Sequence, residues 1–248
     1  MADWPVKESA DLAAVRSLET SSGVLGQHLR ALGKIARGLD GEVLFVMTVF
    51  TPLSIAERLA ESDEAMLGFV REQPELVHTA LEAITDTFAR FAKESIKVGA
   101  SGIFFATTTW GTYDRLTDAE YAEFGRPYDL RILEVVEDAE FNILHVCKSH
   151  NMLRALADYP VAALNWDAQN DTNANLSEAR EITGKTVIGG VSHRSKLPNG
   201  SPDNVKDEAN GVAQMMGSAG WMLGPGCSIS PESPQANVNA LRIALNSA

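Results

Sequence analysis

Two kinds of residue are scarce in this sequence, cysteine and the basic residues. Its 248 residues include two cysteines, Cys147 and Cys227, whereas small secreted domains held together by disulfides carry a much higher density. An apolar signal segment is missing from residues 1–4, and no apolar run reaches the length of a membrane span. We therefore expect a cytoplasmic protein that stays out of membranes, in which a disulfide is the less favoured state of the two cysteines.

Basic residues number 21 against 33 acidic ones, which gives a net charge of −12. A negatively charged protein repels nucleic acid and anionic membrane surfaces, so we expect neither as a partner. The same charge weighs against a polyanionic substrate, unless arginines are concentrated at the site. With 45% hydrophobic residues the chain can bury one large core, and we predict a single domain over residues 1–248.

A Gly-x-Gly-x-x-Gly sequence after a first strand is also absent, which removes the best sequence sign of a dinucleotide-binding fold. The chain instead alternates short apolar runs, typical of buried strands, with longer amphipathic ones. The predicted strands are residues 42–50, 102–106, 143–147, 161–166, 186–191 and 221–223. The predicted helices are residues 75–98, 118–138, 152–159, 176–183, 202–218 and 234–246, and residues 1–40 also have a helical pattern.

Strands separated by helices predict βαβ units and a parallel sheet. Six such units exceed the usual count of a flavodoxin-like sheet, and each strand ends in a polar or glycine-rich loop. We therefore predict an α/β fold of the TIM-barrel type, with a doubly wound sheet as the second choice. Because a complete barrel has eight strands and six are visible, we expect this barrel to be incomplete.

The pattern most indicative of chemistry is formed by His145, Cys147 and Cys227. Residues two apart on a strand point to the same face, so the first two are expected to aim together at the end of the third predicted strand. Cys227 follows the last predicted strand, and the ends of parallel strands meet at one edge. Three protein ligands with a fourth position open are typical of a catalytic zinc ion.

Taken alone, this pattern has ordinary explanations. A buried cysteine is a common small apolar residue, and a histidine at a strand end often only makes a hydrogen bond. His150 is a spare candidate ligand because it lies close to His145 and Cys147 in the sequence. Its position beyond the strand indicates a residue that faces solvent.

Further candidates lie where the predicted strands end, which is where barrel enzymes carry their active sites. We predict substrate contacts at four of these positions and a catalytic role at Asp167. The four substrate-binding candidates are Thr51, Trp110, Trp166 and Arg194. Each has a competing explanation, since tryptophan more often packs in a core and an aspartate after a strand more often caps a helix. Asp167 is also a candidate acceptor for the second N–H of a metal-bound imidazole.

Four segments resemble the uroporphyrinogen decarboxylase superfamily, and together they extend over essentially the whole chain. The first follows the first predicted strand, the second surrounds Tyr128, and the last two follow the fifth and sixth strands. They read Phe-Thr-Pro-Leu at 50–53, Tyr-Ala-Glu-Phe-Gly-Arg-Pro-Tyr at 121–128, Gly-Gly-Val at 189–191 and Gly-Cys-Ser-Ile-Ser-Pro-Glu-Ser-Pro at 226–234. The resemblance implies an eight-stranded barrel, of which this chain lacks the substantial N-terminal region.

The superfamily includes metal-free porphyrinogen decarboxylases and corrinoid-linked methyltransferases, some of which carry a His-x-Cys…Cys zinc site. His145, Cys147 and Cys227 match that zinc branch, so the resemblance implies a zinc methyltransferase that alkylates a small thiol, with a corrinoid donor on a partner protein. Tyr128 is an additional catalytic candidate on this reading, although a tyrosine at that position is equally expected to pack.

Two alternatives remain open. The residues with which the decarboxylases bind substrate come from the N-terminal region that this chain lacks, which makes porphyrinogen decarboxylation, in porphyrin biosynthesis, the second choice. A noncatalytic or truncated relative completed by another subunit is the third. Because an incomplete barrel leaves a strand edge open, we expect a homodimer under any of these functions.

Overall fold

The computed structural model describes residues 4–247 and divides the chain into two compact units. Unit one comprises Met1–Leu144 and Tyr159–Val161, and unit two comprises His145–Asp158 and Ala162–Ala248. The expectation of a single domain stays a prediction. The expectations for residues 1–3, including the missing signal segment, fall outside the described residues. Within residues 4–247, no helix is both long and apolar enough to cross a membrane.

Unit one alternates helices with the first strands of the chain. Its elements are a 3-10 helix at Ser9–Ala14, α1 at Gly23–Leu39, β1 at Val46–Phe50, α2 at Pro52–Leu59, α3 at Asp63–Glu72, α4 at Pro74–Lys97, β2 at Gly102–Ala106, α5 at Asp118–Phe124 and α6 at Arg126–Glu134. Strand β3, at Ile143–His145, begins in unit one and ends in unit two. Strands β1 and β2 are parallel, with Val46 opposite Gly102.

Unit two continues the same alternation. Its elements are β4 at Ala163–Asn165, α7 at Leu176–Thr183, β5 at Thr186–Val191, α8 at Lys196–Asn199, α9 at Pro202–Met216, β6 at Trp221–Pro225, α10 at Gln235–Ile243 and a 3-10 helix at Ala244–Ser247. Strands β4, β5 and β6 pair in parallel, with Asn165 opposite Ile188 and Val191 opposite Pro225. The α/β class and an incomplete TIM-type barrel of six strands are therefore confirmed.

Close backbone contacts explain why glycine begins β2. A Cβ atom at Gly102 would lie 2.1 Å from the carbonyl oxygen of Phe141. The neighbouring segment is held by the backbone N–H of Phe141, which donates to the oxygen of Ser101 at 3.0 Å. A larger residue at position 102 would separate the two segments. The core of unit one contains the buried rings of Phe91 and Phe105.

Two predicted helices differ from those observed. The helix predicted at 118–138 is two helices, α5 and α6, joined at Gly125, where a Cβ would overlap the ring of Tyr121 at 2.8 Å. Pro127 follows in the first turn of α6, where its missing N–H costs nothing. The helix predicted at 152–159 is a series of turns, in part because a residue before proline, here Tyr159, is disfavoured in the helical conformation.

In the N-terminal part of the chain, the observed limits of the strand and of the helices also differ from the predicted ones. The strand predicted at 42–50 begins at Val46, and Val43 and Leu44 before it are 56% and 53% exposed. The helical pattern predicted over 1–40 forms the 3-10 helix Ser9–Ala14 and α1 in the described residues. Hydrophobic periodicity locates elements better than it locates their ends.

A buried carboxyl group lies in unit one at Asp129 on α6. The hydroxyls of Tyr121 and Tyr159 donate to its Oδ2 at 2.7 and 2.9 Å, while its Oδ1 has no hydrogen-bond partner among the described residues. Burial raises the pKa of Asp129 to about 7, and the two hydroxyls and the charge of Arg126 oppose this only in part. The carboxyl group is therefore half protonated near neutral pH.

This raised pKa predicts that stability falls as the pH rises. Because the folded pKa of about 7 exceeds the ordinary value of 3.8, the contribution of Asp129 is full below pH 3.8 and is lost as the pH rises through 7. We expect Asp129→Asn, which cannot ionise, to reduce the loss of unfolding free energy between pH 5 and 8 by roughly 2 to 3 kcal/mol. Urea unfolding at both pH values measures this.

Glu134→Gln is the matched control, because Glu134 lies exposed on the same helix. It should keep the pH dependence of the unmodified protein. An Asp129→Asn protein with that same dependence would contradict the assignment of a raised pKa to Asp129.

Candidate metal centre

Unit two brings the three predicted zinc ligands together. His145 ends β3, Cys147 follows two residues later, and Cys227 lies two residues beyond β6. The Nε2 atom of His145 is 3.5 Å from Sγ of Cys227, and the two Sγ atoms are 3.6 Å apart. One ligand atom from each of the three residues lies within 4.8 Å of the others.

Two of the three separations between ligand atoms match those of a tetrahedral zinc ion. Bonds of about 2.3 Å to sulfur and about 2.05 Å to nitrogen would separate the two sulfurs by about 3.8 Å and nitrogen from sulfur by about 3.6 Å. The observed separations of 3.6 and 3.5 Å differ from these values by about 0.2 Å or less. Two thiolates and one imidazole are also the donor types that zinc prefers, and three ligands leave a fourth position open.

The extended backbone after β3 directs His145 and Cys147 to the same side. Val146 lies fully buried between them, and its N–H donates to the carbonyl oxygen of Asn165 at 2.9 Å. The chain then turns sharply, since Lys148 and His150 both have positive φ angles, of 71° and 46°. Positive φ angles are uncommon outside glycine, and the two residues that have them here end the strand direction immediately after the second ligand.

A glycine allows the third ligand to approach. A Cβ at Gly226 would lie 2.8 Å from Cα of Asp167 and 3.0 Å from the carbonyl oxygen of Trp166. Only the absence of a side chain lets the residue before Cys227 lie against the end of β4. The sequence feature that places Cys227 is therefore the glycine next to it as well as the strand before it.

The two thiols have opposite pKa shifts because they share a proton. The pKa of Cys227 is lowered, first because Cys147 donates a hydrogen bond to its sulfur and next because of the contact with His145. The pKa of Cys147 is raised, since ionisation would break that hydrogen bond and burial adds to the cost. A bound cation would favour the ionised form of both sulfurs.

Asn165, at the end of β4, contacts this cluster, and the sequence predicted no role for it. Its Oδ1 lies 2.7 Å from Nδ1 of His145, and its Nδ2 donates to the carbonyl oxygens of Ile188 at 2.9 Å and Pro225 at 3.1 Å. The available signal was a polar residue ending an otherwise apolar run. Asp167 was one candidate for the partner of this imidazole, and the residue that lies 2.7 Å from Nδ1 is Asn165.

Asp167 instead forms a charged cluster with His193 and Arg194. Its carboxylate is 3.2 Å from Nε of Arg194 and 3.9 Å from Nδ1 of His193, and its side chain is nearly buried. Burial lowers the pKa of His193, and the charge of Asp167 partly opposes this. The helix that follows Asp167, α7, is capped by Asn175 instead. The guanidinium of Arg194 remains 54% exposed, so its predicted role in binding substrate stays a prediction.

The other predicted site residues are buried. Trp166, in unit two, is fully buried and donates from Nε1 to the carbonyl oxygen of Ala174 at 2.8 Å. Three more lie in unit one. Trp110 is fully buried, Thr51 hydrogen bonds with Ser54 at 2.7 Å, and the hydroxyl of Tyr128 lies 2.7 Å from Nδ1 of His78. Their roles in binding or catalysis stay predictions, and each has a packing or hydrogen-bonding role here.

The chain is similar in sequence to one protein family and to several of its members. The profile of the family described as "Uroporphyrinogen decarboxylase (URO-D)" matches residues 1–247. The methylcobamide:CoM methyltransferase MtbA of Methanosarcina acetivorans is 22% identical over 95% of this chain and 68% of its own length. A uroporphyrinogen decarboxylase of Synechococcus sp. is 25% identical over 96% of this chain and 68% of its own length.

Solved structures show the same fold. A methyltransferase from Methanosarcina mazei superposes with a TM-score of 0.77 at 21% identity, covering 93% of this chain and 67% of that protein. A putative vitamin-B12 independent methionine synthase from Listeria monocytogenes superposes with a TM-score of 0.61 at 9% identity, covering 88% of this chain and 67% of that protein. At these identities the likeness concerns the fold.

The short distance between the sulfurs predicts that metal-free protein forms an intramolecular disulfide. Hydrogen peroxide would remove two electrons and two protons from Cys147 and Cys227, which lie 3.6 Å apart, and would itself become two waters. We expect a mass loss of two hydrogens and loss of both alkylatable thiols in the metal-free protein. Zinc should slow the reaction, because coordinated sulfurs are less available to the oxidant.

Cys147→Ser is the control, since it leaves one thiol that cannot form this bond within the chain. Two thiols that remain separately alkylatable after mild peroxide treatment would contradict the observed geometry. Mass spectrometry of alkylated peptides distinguishes the outcomes.

Proposed function

Because the chain belongs to the uroporphyrinogen decarboxylase (URO-D) family and carries a soft three-ligand cluster, we propose that it is a zinc-dependent methyltransferase that moves a methyl group from a corrinoid to a thiol. The observation that carries this proposal is the approach of His145, Cys147 and Cys227 to within 4.8 Å of one another. Members of the superfamily are methyltransferases or decarboxylases. Sequence identities of 22% and 25% to the two kinds do not distinguish them, whereas the ligand cluster favours the first.

The chemistry of the proposed reaction requires a sulfur nucleophile. A free thiol has a pKa of about 8.5, and zinc, when bound, would favour its thiolate form. In the overall reaction a carbon–sulfur bond forms and the carbon–cobalt bond breaks, its electron pair stays with the corrinoid, and the thiol proton is released. Donor and acceptor classes follow the name of the methylcobamide:CoM methyltransferase relative.

The residues of this chain would hold the reactants. His145 and the two cysteines would occupy three positions around the ion and leave the fourth to the substrate sulfur. Both cysteines are partly exposed, which would give a substrate thiol access to the ion. The exposed guanidinium of Arg194, held at its Nε by Asp167, would be available to contact an acidic group on the substrate.

Decarboxylation of a porphyrinogen is the second candidate, because decarboxylases are among the relatives. A polycarboxylate substrate needs several free guanidinium groups to replace its lost hydration. Of the three candidate arginines, Arg194 is exposed, whereas Arg115 pairs with Asp63 and Glu64 and Arg126 lies over the ring of Tyr159 at 5.2 Å. The engagement of Arg115 and Arg126 favours the thiol substrate.

Metal content and methyl transfer test the proposed function together. We expect one zinc per chain in the purified protein, and transfer from methylcobalamin to at least one of a panel of small thiols with and without acidic groups. Cys227→Ser should lower zinc occupancy and reduce transfer by more than about 100-fold, because a catalytic zinc needs its three ligands. Elemental analysis and thiol methylation rates measure the two effects.

His150→Gln is the matched control, since His150 is an exposed neighbour outside the ligand cluster. It should retain both properties. Absence of zinc, or transfer at the unmodified rate in metal-free Cys227→Ser, would contradict the proposal. Consumption of uroporphyrinogen without added metal would support the decarboxylase instead.

We also propose that the protein forms a homodimer and docks a corrinoid protein. Val43 and Leu44 lead into β1 and are more than half exposed, and burial of such side chains favours association. We expect a dimeric mass by light scattering and a shift toward monomer when both residues are replaced by aspartate. Replacing the exposed Val24 on α1 is the control, and a monomeric unmodified protein would contradict the dimer.

A further inference from the structure

The side chain of Asn165 makes several contacts at the candidate metal centre, although the sequence predicted no role for it. It lies at the end of β4, is 5% exposed, and makes three hydrogen bonds with its side chain. One reaches the ring of His145, and the other two reach backbone carbonyls of β5 and β6. All of these residues belong to unit two.

The two carbonyl contacts fix the orientation of the amide. Carbonyl oxygens only accept hydrogen bonds, so the group facing Ile188 and Pro225 must be the NH₂ of Asn165. Its Oδ1 therefore faces His145 at 2.7 Å, and an amide oxygen only accepts. Nδ1 of His145 must then carry the hydrogen in the neutral ring, and Nε2 must carry the lone pair.

This tautomer is the one that a metal site needs here. Nε2 is the nitrogen that faces Cys227 at 3.5 Å, and a metal binds the nitrogen that lacks hydrogen. Free neutral histidine prefers the opposite tautomer, with the hydrogen on Nε2. Without an acceptor at Nδ1, the ring would favour placing a hydrogen where the metal has to bind.

The same amide also contacts the strand that carries the third ligand. Pro225 lies two residues before Cys227, and its carbonyl oxygen accepts from Asn165 at 3.1 Å. Ile188, on β5, accepts the second N–H at 2.9 Å. One side chain on β4 is thus bonded to a ligand ring and to the backbone next to another ligand. Burial strengthens these bonds because water does not compete for them.

We propose that Asn165 is the positioning residue of the metal centre: it selects the tautomer of His145 and holds the end of β6 so that Nε2 and Sγ of Cys227 face one ion. This inference rests on the proposed function for its metal, and it adds the residue that orders the ligands. The outer partners of metal-bound histidines affect affinity by about 10- to 100-fold.

Two substitutions separate the parts of this role. Asn165→Leu removes all three bonds and is expected to move His145 to the Nε2–H tautomer and to weaken zinc binding about 10- to 100-fold. Asn165→Asp keeps an acceptor for Nδ1–H while losing the two donors, so it should retain the Nδ1–H tautomer. Nitrogen-15 NMR of the metal-free protein reports the tautomer, with the His145 signals assigned by their loss in His145→Gln. Competition with a chelator measures zinc affinity.

Asn237→Leu is the matched control. Asn237 is also a buried asparagine of unit two, and its Nδ2 donates to the carbonyls of Leu197 at 3.0 Å and Gly200 at 2.8 Å. Its loss should lower stability but leave the tautomer and the zinc affinity unchanged, which is the result expected of a purely structural amide.

The outcomes distinguish this inference from the proposed function. If Asn165→Leu keeps both the Nδ1–H tautomer and the unmodified zinc affinity, Asn165 does not position the ligands, and the methyltransferase proposal is unaffected. If the unmodified protein binds no zinc, the proposed function fails. In that case an unchanged tautomer in Asn165→Leu overturns the inference, and a changed one supports the tautomer role.

Discussion

The structure of the candidate site depends on three soft ligand atoms meeting where strands end. Two sulfurs 3.6 Å apart do not both ionise easily without a cation, and the opposed pKa shifts of Cys147 and Cys227 arise first from the hydrogen bond between the two thiols. The backbone next to these ligands has unusual local features. Lys148 and His150 have positive φ angles, and Gly226 permits a close approach that a side chain would prevent.

A buried polar side chain in unit two and one in unit one differ in how completely they are hydrogen bonded. In unit two both N–H groups and the oxygen of the neutral Asn165 amide have hydrogen-bond partners. In unit one the carboxyl of Asp129 accepts two hydroxyls at one oxygen and none at the other, so burial raises its pKa. A neutral, fully bonded group suits a rigid centre, whereas a partly bonded carboxyl makes stability depend on pH.

Family membership alone does not identify the reaction of this chain. Relatives named as methyltransferases and as decarboxylases match it at similar identity and over similar lengths, because the barrel and its core are common to both. Function on such a fold depends on the residues at the strand ends. The preference for thiol alkylation therefore rests on the donor types and spacing of one cluster, together with the engagement of Arg115 and Arg126 in other contacts.

The sequence by itself determined the α/β alternation, two strands to the residue (102–106 and 186–191), and the pairing of His145 with Cys147, because these follow from local periodicity. It also placed Cys227 in the same cluster, since parallel strands share their ends. The division of residues 118–138 into two helices follows from Gly125 and Pro127, a local signal that hydrophobic periodicity alone does not report. The hydrogen bonds of Asn165 were decided by tertiary structure alone, because they join residues distant in the chain, such as the amide of Asn165 and the carbonyl of Pro225, which no local pattern encodes.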